Sequence, residues 1–375
     1  MTVDVGELER QARGVLPPEI YDYYAGGSGR EKTLRANRRA WRRHWLQPHV
    51  LRDVSTVDTS VRLPGGTELR TPVAVAPVGF QGLLHAAGEL ATAEGAAQAG
   101  ALLVLSSRSG RRIEDVAGAC AAAGGAWWYQ VYVMRDRDLT GRLVRRAAAA
   151  GARALVLTGD TSVVGRKRRD RGDGVVTPAE FFANTGPLAD VSRAEQAMDV
   201  TFADIRWLED LSGLPVLVKG VLRADDALAC MAAGAAGVIV SNHGGRQLDR
   251  AIPTAFALPA VAATLNHTGS KQAGSGPAAA GTGEVFVDGG LRTAEDILAA
   301  LALGARAVFL GRPAAWALAC GGADGVQALI TGLTIDLAHV MALAGARSLA
   351  DVPGLLEPAA APDLLPAEWH PPTQG

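Results

Sequence analysis

One heptapeptide, Ser241-Asn242-His243-Gly244-Gly245-Arg246-Gln247, sets an imidazole three residues from a guanidinium with two glycines between them. A neutral imidazole can take a proton near neutral pH, and a planar guanidinium can grip a carboxylate through two parallel hydrogen bonds. The glycines let the chain turn tightly and let a ligand approach the backbone. An apolar run, "GAAGVIV" at Gly234–Val240, leads into this segment, so the polar groups close a short buried strand. Read alone, the segment also fits an ordinary polar loop whose histidine bonds a neighbouring carbonyl.

The same inversion of polarity recurs along the chain. "PVLVKG" ends an apolar run in Lys219, a costly place for a charge unless an anion or acceptor faces it. Other apolar runs give way to Pro77-Val78-Gly79, Ser106-Ser107-Arg108, Gln130 with Tyr132, and Thr158 with Asp160. The last two end in "VDGGLR", carrying Asp288, Gly289, Gly290 and Arg292, and "LGRP", carrying Gly311 and Arg312. Glycine turns beside arginines suit a phosphate held on backbone N–H groups and guanidinium donors, which predicts a phosphate-bearing cofactor.

These residues need a frame that gathers strand ends. From residue 70 onward, short strand-like runs alternate with alanine-rich helical ones. The predicted strands are Val73–Ala76, Ala101–Leu105, Trp127–Val131, Ala152–Thr158, Pro215–Lys219, Gly237–Ser241, Val285–Asp288 and Ala305–Leu310. Among the helices, His85–Gly100 is alanine-rich, and Arg292–Ala305 opens on a capping-box pattern, Thr293 with Asp296, and stops at Gly304. Eight such units predict an α/β fold, a (β/α)₈ TIM barrel, with the chemistry at the C-terminal strand ends. A helical extension at 1–69, a barrel at 70–320 and a C-terminal helical region at 321–375 make one domain. Within the extension, Val5–Tyr24 reads as helix broken at Pro17-Pro18, and Arg30–Val57 as connecting chain. Arg169–Val200 is long and irregular, and Thr268–Gly283 is a low-complexity, flexible insertion. Gly274-Ser275-Gly276 is no dinucleotide fingerprint, since no strand precedes it and Pro277 follows.

Composition sets the outer bounds. The chain has 375 residues, 48% hydrophobic and 20% charged, with a formal net charge of −1. That balance disfavours nucleic acid or an anionic membrane as partner, although Arg38–Arg43 and Arg166–Arg171 are local basic clusters. Three widely separated cysteines, Cys120, Cys230 and Cys320, predict neither a disulfide framework nor a zinc site. With no signal-like N-terminus and glycines and charges breaking the alanine-rich stretches, the expectation is a cytoplasmic protein without a membrane span.

"SNHGGRQLD", "YDYYAGGSG", "APVGFQGLLH", "WYQVYV", "LTGD", "LVKGV", "DGGLR" and "LGRP" together resemble the FMN-dependent α-hydroxy-acid oxidases and dehydrogenases in order and spacing, over roughly residues 5–350. The resemblance implies a barrel and an FMN site. Pro77, Val78 and Gly79 would lie along the flavin, with Ser106, Gln130 and Thr158 on its edge. Lys219 would sit where negative charge gathers on reduction, Ser241 would touch the ribityl chain, and Asp288, Gly289, Gly290, Arg292, Gly311 and Arg312 would hold the ribityl and phosphate end. It implies His243 as catalytic base, Asp160 as stabiliser of its imidazolium, and Arg246 as clamp of the substrate carboxylate. Tyr132 would bond the hydroxyl or carboxylate and Tyr23 the carboxylate. Whether His243 takes the hydroxyl proton or the α-carbon proton stays open. Family members are often homo-oligomers, including tetramers.

Three departures bear on substrate. Gly79 stands where many relatives carry alanine; the missing methyl predicts a wider pocket, as in mandelate-using members. Arg108 stands where glycolate-type members carry tryptophan, either reaching a polar substituent or pointing to solvent. Lys167 stands in place of a second carboxylate-binding arginine, unless Arg166 or Arg168 takes that part after a loop shift. Phe80, Trp127 and Trp128 add aromatic surface or core. The expectation is oxidation of an aryl (S)-2-hydroxy acid, mandelate or 4-hydroxymandelate, linked to hydroxyphenylglycine supply for peptide antibiotics. O₂ is the acceptor by elimination, giving hydrogen peroxide. The alternatives are a short-chain lactate or glycolate oxidase, a soluble dehydrogenase with another acceptor, or a flavin-binding protein without turnover.

Overall fold

The structure, a computed structural model, describes residues 3–169, 182–188, 190–272 and 283–356. Eight parallel strands close into a barrel: β3 (Val73–Val75), β4 (Leu102–Ser106), β5 (Ala126–Val131), β6 (Leu155–Thr158), β7 (Val216–Val221), β8 (Gly237–Val240), β9 (Glu284–Asp288) and β10 (Val308–Leu310), with β10 paired back to β3. All eight predicted strands are present. Four begin later than expected, at Leu102, Leu155, Val216 and Val308. The strand holding Lys219 runs on to Val221, through a register irregularity between Lys219 and Val221.

Alternation along each strand builds two cores. Ala74, Leu102, Val104, Trp128, Val156, Leu217, Ile239, Phe286 and Phe309 fill the barrel, where Trp128 packs edge-on against Phe286 with ring centroids 5.8 Å apart. Their neighbours Val73, Leu103, Trp127, Leu155, Val216, Val238 and Val308 face the surrounding helices. Trp127 and Trp128 therefore serve two different cores, as adjacent strand residues must. A hairpin precedes the barrel, β1 (Val61–Leu63) with β2 (Thr67–Leu69), and its Val61, Leu63 and Leu69 join the cluster that fills the interior.

The N-terminal helix pair follows the sequence closely. Asp4 caps α1 (Val5–Val15), and Pro18 opens α2 (Pro18–Ala25). The connecting segment departs from expectation: it holds α3 (Lys32–Trp41), whose run of charge hid a face bearing buried Asn37 and Trp41. Around the barrel lie α4 (Glu89–Gln98), α5 (Ile113–Ala122), α6 (Arg137–Ala149), α7 (Ala203–Ser212), α8 (Ala224–Ala232), α9 (Thr254–Gln272), α10 (Ala294–Ala302) and α11 (Arg312–Leu343). The Thr293–Asp296 capping box forms as predicted, opening α10. α9 extends into the first residues of the expected insertion. Residues 273–282 of that insertion, 170–181 and 189 of the irregular loop after β6, and 357–375 lie outside the described residues.

α11 is the stretch that bears on the membrane expectation. It is long and apolar enough to cross a membrane by length and composition. It bends at Gly321-Gly322, and buries Trp316, Leu318, Leu329, Leu333 and Leu337 in packing against α1 and α4. That is how a core helix uses such a stretch.

Candidate active site

A cavity of about 670 Å³ opens at the C-terminal ends of the strands. The turn after β8 shows why its sequence carries paired glycines. His243, Gly244 and Gly245 take φ of +56°, +60° and +74°, three successive left-handed residues that only glycine adopts freely. His243 accepts the strained conformation in the middle of the site, held by its backbone N–H donating to Ser241 Oγ at 3.0 Å.

Around that imidazole the polar groups form one network. His243 Nδ1 lies 3.0 Å from Asp160 Oδ1, and Nε2 faces the Tyr132 hydroxyl at 3.5 Å. Burial, reinforced by the Lys219 charge, lowers the pKa of His243 below the ordinary 6.5 against the opposing pull of Asp160. The ring is therefore neutral, and its free nitrogen can take a proton. For Asp160, burial alone would raise the pKa, but the hydrogen-bonded His243 and the Lys219 charge outweigh it and hold the carboxyl below its ordinary value. Burial pushes Tyr132 up to about 12, so its hydroxyl stays a donor.

Lys219 is 3% exposed, with Nζ 3.3 Å from Asp288 Oδ2 and 3.1 Å from Ser241 Oγ. Desolvation would favour the neutral amine, yet Asp288 and Asp160 more than offset it, and Lys219 keeps its proton. Beside it Ser106 Oγ donates to Gln130 Oε1 at 3.1 Å and Gln130 Nε2 to Thr158 Oγ1 at 2.9 Å. Gln130, Thr158, Ser241 and Asp160 stand behind the wall as supports. Tyr23, Pro77, Val78, Gly79, Ser106, Arg108, Tyr132, Lys167, Lys219, His243, Arg246, Asp288, Gly289, Gly290, Arg292, Gly311 and Arg312 line the cavity itself.

The structure places the three departures, Gly79, Arg108 and Lys167. A methyl group on Gly79 would lie 2.9 Å from Arg108 Cβ and 3.1 Å from its carbonyl oxygen, so the missing methyl makes room for Arg108 rather than for open pocket. Arg108 does not point to solvent: it is largely buried, lines the cavity and donates from Nη2 to the Ala194 carbonyl at 2.6 Å. Lys167 lines the cavity, whereas Arg166 and Arg168 are exposed and do not. Trp127 and Trp128 contribute nothing to the cavity wall.

Arg246 Nη1 donates to the carbonyls of Tyr23 at 2.7 Å and Gly26 at 3.1 Å, with its guanidinium 5.4 Å above the Tyr23 ring. Arg312 spreads its donors over the carbonyls of Tyr24, Gly244 and Gly26 at 2.9, 2.9 and 2.8 Å. Both arginines thereby fasten the C-terminal end of α2 and Gly26 over the turn bearing His243. The sequence reading missed α3 as a wall: Trp41 Nε1 donates to the Gly289 carbonyl at 2.8 Å, Asn37 pairs with Asn242, and Arg38 lines the cavity. Trp41 and Arg38 stand three residues apart, a helical spacing that was the available signal.

The residues present fit a flavin nucleotide. Asp288 Oδ1 is buried and takes no hydrogen bond among the described residues, an acceptor on the cavity wall that a ribityl hydroxyl would satisfy. Beyond it Arg38, Arg292 and Arg312 make a strongly positive pole beside Gly289-Gly290, suited to a phosphate. Burial and the neighbouring Arg38 bring Arg292 down to about 10.

A base, a carboxylate grip and a phosphate pole around one barrel mouth describe an oxidoreductase of small hydroxy acids that works with a phosphate-bearing cofactor. The family model for FMN-dependent dehydrogenases matches residues 12–357, and the chain belongs to that family, with FMN as its cofactor. It is 40% identical to an L-lactate oxidase of Nostoc sp. over 93% of this chain and 96% of that protein. Its identity to a 4-hydroxymandelate oxidase of Amycolatopsis orientalis is 41%, over 92% and 96%. A crystal structure of mandelate oxidase with benzoyl-formic acid superposes with a TM-score of 0.83 at 40% identity, covering 94% of this chain and 97% of that one. The chain is an FMN-dependent enzyme of the 2-hydroxy-acid oxidase kind.

Proposed function

We propose that the chain oxidises aryl (S)-2-hydroxy acids, mandelate and 4-hydroxymandelate, to the 2-oxo acids, with O₂ reduced to hydrogen peroxide. One mole of hydroxy acid and one of O₂ give one of oxo acid and one of peroxide. The observation that carries the reading is the His243–Asp160 dyad facing Tyr132 in a chamber that carries an apolar stretch among its charged and polar groups. Val78, Phe80, Val163, Val164 and Met198 line that stretch, a surface that favours a ring over a short polar side chain. The similarity to mandelate and 4-hydroxymandelate oxidases supports the same substrate class.

In this reading Arg246, Lys167 and Tyr23 hold the substrate carboxylate, and Tyr132 donates to its polar end. His243 Nε2 removes the proton, while Asp160 keeps the Nδ1–H oriented and stabilises the imidazolium that results. FMN, when bound, supplies the two-electron acceptor for the alcohol carbon. Lys219 holds positive charge within the same network, where it would balance developing negative charge. The enzyme is expected to act in the cytoplasm as a homo-oligomer.

Anaerobic mixing with (S)-4-hydroxymandelate, (S)-mandelate and L-lactate, followed at the flavin band near ~450 nm, tests the substrate. Faster bleaching by the two aryl acids is expected; a preference for lactate would sink the aryl reading and favour the short-chain one. Admitting air should then yield peroxide in step with oxo acid, and its absence would point to another acceptor.

A further inference from the structure

The phosphate pole contains a carboxylate that the reaction does not use. Glu9, on α1, reaches across to α3, where its Oε2 sits 2.6 Å from Arg38 Nη2 and 4.0 Å from Arg292 Nη2. Its side chain is 18% exposed, against 17% for Arg292. A second cavity, of about 520 Å³, lies behind this pair between α1, α3 and the start of α10. The two cavities share Arg38, Gly290 and Arg292. Glu9 therefore stands at the back of the phosphate pole, touching the same guanidinium groups that face the cofactor.

Electrostatics makes that position consequential. Arg38, Arg246 and Arg292 all press on the Arg312 charge, and Glu9 opposes them. Glu9 likewise supports the Arg292 charge against Arg38. A cluster of like charges needs an anion to stay assembled, and two anions compete for the same donors.

We propose that Glu9 is the resident counter-ion of the phosphate pole, and that the FMN phosphate must share or take over its arginines in order to bind. Glu9 thus sets how tightly the cofactor is held, and α1 feels whether the pole is occupied. The proposal rests on the reading that the FMN phosphate lies at Gly289-Gly290 and Arg292.

The test compares FMN with riboflavin, which lacks the phosphate. FMN release from the holoenzyme is read as free-flavin fluorescence after dilution, and rebinding is titrated with each flavin. Glu9→Gln is expected to tighten FMN about 3–10-fold and slow its release, with riboflavin unchanged and Glu9→Asp close to wild type. Arg38→Ala should weaken FMN about 10-fold and leave riboflavin unchanged. Unchanged or weaker FMN binding in Glu9→Gln would overturn the proposal, as would equal tightening of both flavins. If Arg38→Ala and Arg292→Ala both leave the FMN-to-riboflavin ratio unchanged, the phosphate placement itself fails and the proposal with it.

Discussion

At the scale of single residues, His243 illustrates how a site residue is tuned by what surrounds it. Burial and Lys219 push its pKa down while Asp160 pulls it up, and the downward effects prevail. A base with a lowered pKa stays available to lower pH, so the acid limb of kcat/KM should have its midpoint below 6.5. Asp160→Asn removes the carboxylate that supports the proton on the ring, and should lower activity while moving that limb further down. A pH profile of kcat/KM for both proteins checks this; a limb at or above 6.5 in the wild type would contradict it. His243, Arg246 and Asp160 were legible because strongly polar types interrupt apolar runs. Arg108 was legible as a departure but not in its consequence. Its contact with Gly79 depends on two loops that meet only in the folded barrel.

Elements were legible where their burial is uniform. The barrel strands are apolar on both faces and announce themselves as short β-rich runs. α3 was missed because Arg35, Arg38 and Arg39 mask the buried face that Thr33, Asn37, Ala40 and Trp41 present. Yet this helix closes one wall of the site, and Trp41 fixes the Gly289 carbonyl from it. Trp41→Phe keeps most of the buried ring and removes that donor, at a cost of about 1 kcal/mol or roughly 5-fold in FMN affinity. Titration of the variant with FMN measures the change, and an unaltered dissociation constant would show that the turn needs no such anchor.

Across the whole molecule, the helical layer is held to the barrel by close backbone approach as well as by apolar area. At Gly95 on α4 an added Cβ would lie 2.3 Å from the Ala323 carbonyl oxygen and 2.9 Å from Val326 Cβ on α11. Gly95→Val should cost about 1–3 kcal/mol by overpacking this contact, seen as an earlier thermal transition by circular dichroism. An unchanged transition would mean that α11 can shift outward without loss. Nothing in the sequence around Gly95 distinguishes it from other glycines in alanine-rich helices. The contact joins residues more than two hundred positions apart.

The hairpin that precedes the barrel has a bearing on traffic. Val61, Leu63 and Leu69 stopper one end, and Trp128, Phe286 and Phe309 fill the bore behind them. Among the described residues, these side chains fill the axis of the barrel. Whatever enters the chamber arrives through the loops at the opposite rim, and what leaves departs over the same threshold. Fuel, exhaust and the agent that resets the cofactor are therefore expected to share that doorway.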